Sequence, residues 1–450
     1  MSRHARTLEQ MGVPTIGVSA VTMVRYATEY DFKYANGMPI RYVAVPFPVT
    51  GPTRAMHRAY VNGKDQLSGK PLMTAISDAL TAPLTDSEKM TNTTEVQAQA
   101  EPRFLPPDTE DNLRQLFKDK EWTDYNPIIL PTEERVKKML AGTSHKPDEV
   151  VNADTFNAGR RELTVEKVAI AAVMAGAKPE YMPLLLAIMA SGVPYGNSTS
   201  SMANAIIVNG PIRNEIGMNP GTNAMGPYND ANSVVGRFFS LCGKLAADLR
   251  NNVTAVESLG NNLQYNNLTV AENEEMLPEG WQPLHVQMGF KPTDSVVTIG
   301  TGWTYISSLG EVQPAYPANM LIADYMRSLS ALGSAATLFV DPTVAGLLNN
   351  VNGYATKQDF SKWLAGKVEK TVASYWGNGV VMTSNNAMAI QGLAPYADWS
   401  KLRKESPDAL IKPFNNPEAI NIVVVGGAIQ TTWFVTDFRL RRGTLVDDWR

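Results

Sequence analysis

Four short apolar runs constrain the fold of this chain more than any other feature. Each is a continuous stretch of mostly β-branched residues that ends at Gly, Asn or Asp, and the runs lie at residues 206–208, 296–299, 338–340 and 422–425. Strands without polar alternation are typical of sheets that are covered on both faces. We therefore predict an α/β fold with mostly parallel sheets flanked by helices. Ligands of such folds bind past the carboxyl ends of the strands, so we expect the four turns to share one rim.

Length and composition predict three segments. A chain of 450 residues exceeds the size at which a single core usually stops growing. Residues 1–84 are predicted to form a small N-terminal α/β unit. Residues 85–152 are rich in Thr, Glu, Asp and Pro but carry scattered aromatic residues, which indicates an extended connector that wraps a surface. Residues 153–450 are predicted to form a larger C-terminal α/β domain.

The N-terminal unit reads as a βαβ arrangement that lacks its own opening strand. Strands are expected at residues 15–18 and 41–45, with a helix at 21–34 between them and a short helix at 8–11 before them. A helix as the first element implies that the sheet it covers is completed by a strand from elsewhere. We expect that strand to come from a later part of this chain or from another chain.

Charge and hydropathy exclude several classes of partner. The net charge of -4 gives no field that would attract a phosphate backbone, so we predict no binding of nucleic acid. No segment approaches the roughly 18 consecutive apolar residues of a spanning helix, so we predict no membrane segment and a cytoplasmic location. Charged residues make up only 19% of the chain, which leaves room for a buried interface and favours an oligomer.

Sulfur and imidazole groups are sparse. The single cysteine, Cys242, follows Phe238 by four residues on an apolar helical stripe, which indicates a buried structural thiol rather than a nucleophile. The four histidines lie far apart along the sequence, so local spacing predicts no metal site. No cofactor is evident, although a metal held by residues that are distant in sequence stays open.

A loop rich in Gly, Asn and Pro follows the first run and is the strongest candidate for substrate binding. Asparagine amides can fix a carbonyl or carboxylate without a charge to desolvate, and a guanidinium can pair with an anion through two hydrogen bonds. The alternative is that these residues only provide turn geometry. The substrate-binding candidates in this loop are Asn209, Arg213, Asn223, Gly226 and Asn229.

Catalytic candidates lie in the irregular segment at residues 272–285. The carboxylates of Glu272 and Glu274 and the imidazole of His285 are the groups that general acid and base catalysis uses. The alternative is a solvated acidic turn followed by a histidine that bonds a backbone carbonyl. Both readings remain open at this stage.

Two further turns are candidates for ligand contact. Gly426 and Gly427 follow the last apolar run and suit an oxyanion or phosphate, but the third spaced glycine of a dinucleotide fingerprint is missing. Arg54 follows a Gly-Pro-Thr turn and suits an acidic ligand or partner. A plain helix start explains Arg54 equally well.

Several short segments of the sequence resemble those of the UGSC protein family, which is defined by a Sec/Cys-Gly-Ser-Cys motif. Examples are Ala-Gly-Ala-Lys-Pro-Glu-Tyr at 175–181 and Asn-Gly-Pro-Ile-Arg at 209–213, with further matches at 8–15, 223–227, 271–275, 283–286 and 425–427. The resemblance implies a thiol or selenol redox or cleavage activity. The family's motif would precede the helix at 8–11, where residues 1–7 contain no cysteine, and Ala177 stands where the family is associated with a cysteine. The resemblance therefore implies that a small partner subunit donates the missing strand and the Cys or Sec.

Three functional hypotheses follow. The first is a substrate-pocket subunit of a heteromeric enzyme, whose partner supplies a reactive Cys or Sec for redox or bond-cleavage chemistry on a small organic molecule. The second is a self-sufficient hydrolase or lyase that uses His285 and a glutamate. The third is a non-catalytic subunit that binds a small molecule or serves assembly.

Overall fold

The chain divides into two units. A computed structural model describes residues 5, 8–9, 11–24, 40–47, 49, 53–83, 85–86, 103–152, 162–193, 200–247, 249–251, 255, 257–310 and 312–450. The N-terminal unit contains the described residues up to Thr109 and those between Ala247 and Val256, and the larger unit contains the others. The division falls between Thr109 and Glu110, later than the predicted boundary at residue 84.

The N-terminal unit has a parallel pair of strands covered by a helix. Strands β1 (Ile16–Ala20) and β2 (Arg41–Val45) pair in parallel, as the sequence predicts. Helices α1 (Arg54–Val61) and α2 (Leu72–Thr81) follow, and Leu72 and Ala75 of α2 pack on the buried Val43 and Val45 of β2. Of the helix predicted at 21–34, residues 21–24 are helical and the rest lies outside the described residues, as does Gln10 of the predicted first helix. Within the described residues the sheet has two strands.

The larger unit mixes helices and strands along its length. Its helices are α3 (Glu110–Asp119), α4 (Glu133–Leu140), α5 (Val165–Ala175), α6 (Met182–Ala190), α7 (Ile212–Glu215), α8 (Asp230–Ala247), α9 (Leu284–Gln287), α10 (Ala318–Met326), α11 (Pro342–Gly346), α12 (Lys357–Lys367), α13 (Val372–Gly377), α14 (Gly379–Ile390) and α15 (Tyr396–Glu405). Its strands are β3 (Val150–Asn152), β4 (Leu163–Thr164), β5 (Ala203–Asn209), β6 (Leu268–Ala271), β7 (Val296–Gly302), β8 (Tyr305–Ser307), β9 (Ala336–Val340), β10 (Lys370–Thr371), β11 (Leu410–Ile411), β12 (Ile420–Val424), β13 (Trp433–Thr436), β14 (Arg439–Leu440) and β15 (Thr444–Leu445).

Local signals set the bounds of several helices. Thr164 accepts a hydrogen bond from the backbone N–H of Lys167 at the start of α5, and Gly176 ends that helix with a φ of 89°. A left-handed residue at this position favours glycine because a side chain would strain the backbone. Helix α4 begins after Thr132, whose hydroxyl accepts a hydrogen bond from the backbone N–H of Arg135, and α3 has two acidic residues, Glu110 and Asp111, in its first turn. Both lie in the part of the predicted connector that belongs to the larger unit.

Two mixed sheets form the centre of the larger unit. The first has the order β14-β7-β5-β6, with β15 also on β7, and the second has the order β12-β9-β13-β8. β5 is parallel to β6 and antiparallel to β7, whereas β9 is parallel to β12 and antiparallel to β13. The expectation of an α/β fold is met, but the expectation of mostly parallel sheets is not, because each sheet joins one parallel pair to antiparallel neighbours.

The two sheets pack face to face between outer helices, so that the larger unit has four layers. Ala205 and Ile207 of β5 share one buried cluster with Phe339 of β9 and Val423 of β12. The opposite face of the second sheet packs on helices α10 to α13 through a cluster that includes Leu338. Helix α8 covers the outer face of the first sheet. Strands inside such a sandwich are buried on both faces, which explains their continuous apolar runs without a doubly wound parallel sheet.

Candidate functional site

Three of the four predicted turns lie at meeting edges of the two sheets. The parallel strands β5 and β6 end together at Asn209 and Ala271, and β12 ends at Val424 in the second sheet. Asn273 joins the sheets, because its backbone N–H donates to the Val424 carbonyl over 2.8 Å and its side-chain amide donates to the Gly426 carbonyl over 2.9 Å. The run at 296–299 is the exception. Its strand β7 is antiparallel to β5, with Gly302 opposite Ala203, so its Gly-rich end lies at the other end of the sheet.

Glu272 is the centre of a buried charged cluster. Its side chain is fully buried, and the carboxylate accepts hydrogen bonds from Lys357 Nζ at 2.6 Å, Asn209 Nδ2 at 2.6 Å and the Leu284 backbone N–H at 2.7 Å. Lys357 is only 2% exposed. These partners neutralise the charge of Glu272 and supply hydrogen bonds to both of its carboxylate oxygens. We therefore assign Glu272 a positioning role.

Glu274 is partly buried, between the fully buried Glu272 and the exposed Glu275. Its side chain is 14% exposed. One oxygen accepts hydrogen bonds from Asn209 Nδ2 at 2.9 Å and from the Gly210 backbone N–H at 2.8 Å. The other oxygen lies 3.1 Å from Arg213 Nη2.

Arg213 is buried at 3% exposure, and its guanidinium is directed at acceptors of the protein. A guanidinium has five N–H groups. The contacts of Arg213 are Nε to Gly210 O at 3.1 Å, Nη1 to Glu272 O at 2.7 Å and to Glu275 Oε2 at 3.2 Å, and Nη2 to Glu275 Oε1 at 3.0 Å and to Glu274 Oε2 at 3.1 Å. The hydrogen bond from Arg213 lowers the pKa of Glu275. The structure therefore gives Arg213 a role in holding the cluster together.

His285 lies beside this cluster on helix α9 and is fully buried. Its Nδ1 is 3.9 Å from Glu274 Oε1, which is beyond hydrogen-bond range, and neither ring nitrogen has a hydrogen-bond partner. Asn209 Oδ1 is also buried without a partner. Buried polar atoms are nearly always paired, and unpaired ones mark a bound water, an ion or a functional group. The structure thus brings the predicted catalytic residues Glu272, Glu274 and His285 together.

The asparagines of the loop at 209–232 are used mainly to shape it. Asn229 Nδ2 donates to the Asn223 and Gly226 carbonyls at 2.6 and 3.0 Å, and Asn223 Nδ2 donates to the Pro227 carbonyl at 2.6 Å. Asn223 has a φ of 63°, and a Cβ on Gly226 would lie 2.0 Å from Asn223 Oδ1. Asn209 is separate from this set, because it faces the glutamates. Turn geometry, the alternative given above, accounts for Asn229 and Gly226.

A pocket of ≈ 390 Å³ opens past the ends of β9 and β12. It is lined by residues 222–226, 339–341, 425–427, 429–430 and 432–434, so it includes the predicted Asn223, Gly226, Gly426 and Gly427. Gly427 allows the close approach of the loop, since a Cβ there would lie 2.1 Å from Thr222 Oγ1. Gly426 has a φ of 98°. Asn273 connects this pocket to the charged cluster through its bond to Gly426.

Asp341 is the acid of the pocket lining. It caps α11 by accepting from the Val344 backbone N–H at 2.8 Å, and its other oxygen accepts from the backbone N–H and the hydroxyl of Thr432. Burial raises the pKa of the Asp341 carboxyl despite these bonds. Sequence reasoning placed Asp341 only in a turn. Its capping role was visible in the Asp-Pro pair that starts α11.

Lys357 is a second residue that sequence reasoning missed. It is the first residue of α12, directly after the capping Thr356. Its partner Glu272 lies 85 positions earlier in the chain. No local pattern signals such a pair.

The remaining predicted groups lie elsewhere. Arg54 begins α1 in the N-terminal unit and is exposed, after Thr53, whose hydroxyl caps that helix. Cys242 is buried, as predicted, and burial raises the pKa of its thiol to about 12. Among the described residues there is no group of three or more His, Cys, Asp and Glu placed to hold a metal ion. Within the same residues, every helix is too short or too polar to span a membrane.

No protein-family model matches this chain, and no significant match is found among curated proteins or solved structures.

Proposed function

We propose that the chain is the substrate-pocket subunit of an enzyme that acts on a small organic molecule, and that a second subunit supplies a reactive Cys or Sec for redox or bond-cleavage chemistry. The observation that carries this proposal is the composition of the pocket at Gly426 and Gly427. Its described lining combines apolar side chains, amides, hydroxyls and one carboxylate. Such a set suits binding and orienting a molecule, which are the tasks of most ligand pockets.

The burial of Cys242 is consistent with a reactive sulfur that is supplied by another molecule. The thiolate is the reactive form of cysteine. With a pKa raised to about 12 and a fully buried side chain, Cys242 stays a thiol at neutral pH. A sulfur-based step at the pocket therefore uses a different sulfur.

The N-terminal unit offers a place for the partner. In the described residues, β1 and β2 form a sheet of two parallel strands, and Val18 of β1 is 44% exposed. A strand pair gains stability when further strands complete it. Donation of a strand by the partner fits this unit, and the assembly is then a hetero-oligomer.

The charged cluster is joined to the pocket through Asn273. Asn273 links the Glu272 strand end to Gly426, so the ion pair of Glu272 with Lys357 fixes the position of the glycine turn. Glu274 and His285 do not line the pocket, so in this proposal they belong to the supporting cluster.

A second candidate, a self-sufficient hydrolase or lyase, is favoured by His285. A fully buried imidazole with two unpaired nitrogens, 3.9 Å from a carboxylate oxygen, is an arrangement that general-base catalysis uses. This candidate needs no partner. It uses the Glu274–His285 pair as its acid and base.

The first experiment tests the pocket. The full chain is purified from its native cells, and native mass spectrometry identifies the small molecule that it retains. Gly427→Ala introduces a Cβ against Thr222 and should abolish retention, whereas Gly366→Ala adds a methyl group to open space on α12 and should leave it intact. Equal retention by the two variants would reject the pocket as the binding site.

The second experiment separates the two candidates. Turnover of the retained molecule is measured with the isolated chain and with the chain co-purified with its second subunit. The proposal expects turnover only with a subunit whose Cys or Sec is essential. Turnover by the isolated chain that survives Cys242→Ala and disappears with His285→Ala would establish the second candidate instead. Retention without turnover in either preparation would leave a binding subunit only.

A further inference from the structure

The pocket at Gly426 and Gly427 carries information on the charge of its ligand. Among the described residues that line it, Asp341 is the only one with an ionisable side chain. Lys, Arg and His are not represented in that lining. The two cations of the neighbouring cluster are already paired, since Arg213 donates to Glu275 and to two backbone carbonyls and Lys357 donates to Glu272.

At a pH above the raised pKa of Asp341, an anionic ligand would thus enter a site where the fixed charge has its own sign. Asp341 is 5% exposed, so water screens its charge only partly. Like charges in partly buried sites interact more strongly than in water. The oxygens of Asp341 already accept hydrogen bonds from Val344 and Thr432. Asp341 therefore acts on a ligand through the electrostatic effect of its charge rather than as a free hydrogen-bond acceptor.

The other lining groups suit an amphipathic molecule. Phe339, Phe434 and Met225 belong to the buried cluster between the two sheets or pack against it, and they give the pocket an apolar side. The backbone N–H of Gly427 donates to no acceptor among the described residues and is available to a ligand oxygen. Ile429 also lines the pocket and is 74% exposed, so it adds an apolar group on the solvent side.

We infer that the ligand of this pocket is an uncharged or cationic molecule with an apolar body and a hydrogen-bonding head, and that carboxylates and phosphates are excluded. This inference rests on the proposed function and narrows its substrate class. It differs from the anion-binding role that the sequence suggested for Arg213 and the glycine turn.

The test uses three probes with one ring and different charges: benzamide, benzoate and benzylammonium. Their affinities for the full chain are measured by ligand-observed NMR titration, in the millimolar range expected for such small ligands. We expect benzamide and benzylammonium to bind, and benzoate to bind at least about 10-fold more weakly than benzamide, because of repulsion by Asp341. Gly427→Ala should weaken benzamide binding, and Gly366→Ala should not.

A matched pair of variants isolates the charge. Asp341→Asn keeps a capping side chain and should bring the benzamide to benzoate ratio close to one. Asp359→Asn is the control, because Asp359 likewise accepts from the backbone N–H and hydroxyl of a threonine, Thr356, but does not line the pocket. If Asp341→Asn does not fold, the ratio in the unmodified chain still decides. Benzoate binding as tight as benzamide would overturn the ligand class, whereas failure of all three probes would overturn the pocket itself.

Discussion

Replacement of Lys357 by Met should strongly destabilise the larger unit. The Nζ of Lys357 lies 2.6 Å from Glu272 Oε1, and the two side chains are 2% and 0% exposed. Removal of one partner of such a pair leaves a buried charge and costs about 3–5 kcal/mol. Glu272 keeps the hydrogen bonds from Asn209 and the Leu284 backbone, so we expect a loss near the lower limit, about 3 kcal/mol.

The free energy of unfolding is measured by urea denaturation, followed by tryptophan fluorescence. Lys362→Met is the control, because Lys362 is an exposed lysine on the same helix and should change stability by less than about 0.5 kcal/mol. The double variant Lys357→Met with Glu272→Gln replaces both charges. It should recover about 2 kcal/mol of the loss, since the amide oxygen still accepts from Asn209. A loss below about 1 kcal/mol for Lys357→Met would refute this account of the cluster. A double variant whose loss equals the sum of the losses of Lys357→Met and Glu272→Gln would refute it as well.

Three further predictions concern burial, titration and close packing. Cys242 should not react with iodoacetamide or an aromatic disulfide in the folded chain and should react fully in urea, because its thiol is buried with a pKa raised to about 12; rapid labelling of the folded chain would contradict this. Burial alone would lower the pKa of His145, but hydrogen bonds to Glu149 and to a backbone carbonyl outweigh burial and raise the pKa. The stability that His145 contributes is therefore complete below its unfolded pKa and is lost as pH rises through its folded pKa. Stability should fall between about pH 6 and pH 8 as His145 loses its proton, and His145→Gln should remove this part of the pH dependence; an unchanged profile would argue against it. Gly236→Ala places a Cβ 1.9 Å from the Asn266 carbonyl and should lower the free energy of unfolding by about 2–3 kcal/mol in urea denaturation, whereas Gly366→Ala should be neutral or raise it by up to about 1 kcal/mol.

Local chemistry made the elements predictable from the sequence. The runs at 338–340 and 422–425 became β9 and β12, because β-branched residues without polar alternation are stable only where both faces are buried. Thr164 and Gly176 fixed both ends of α5 through a side-chain cap and a left-handed residue. Such signals depend on neighbours within a few residues.

The arrangement of the elements could not be predicted in the same way. A run that is buried on both faces does not specify whether a helix or a second sheet covers it. Strand direction is equally unspecified, so β7 was placed at the same rim as β5 although the two are antiparallel. The four-layer sandwich depends on contacts between residues such as Ile207 and Val423, which are far apart along the chain.

The candidate site shows the same limit in its chemistry. Residue type alone suggested that Arg213 binds an anion and that the loop asparagines hold a ligand. In the fold, Arg213 donates to Glu275 and to backbone carbonyls and forms an ion pair with Glu274, and Asn229 donates to carbonyls of its own loop. A donor that already satisfies a buried acceptor cannot turn to a ligand without leaving that acceptor unpaired, which costs about 1–3 kcal/mol or more. Donors that the fold has already paired therefore stabilise the rim, and we propose that recognition is left to the apolar side, the glycine turn and the charge of Asp341, whose oxygens are paired as well.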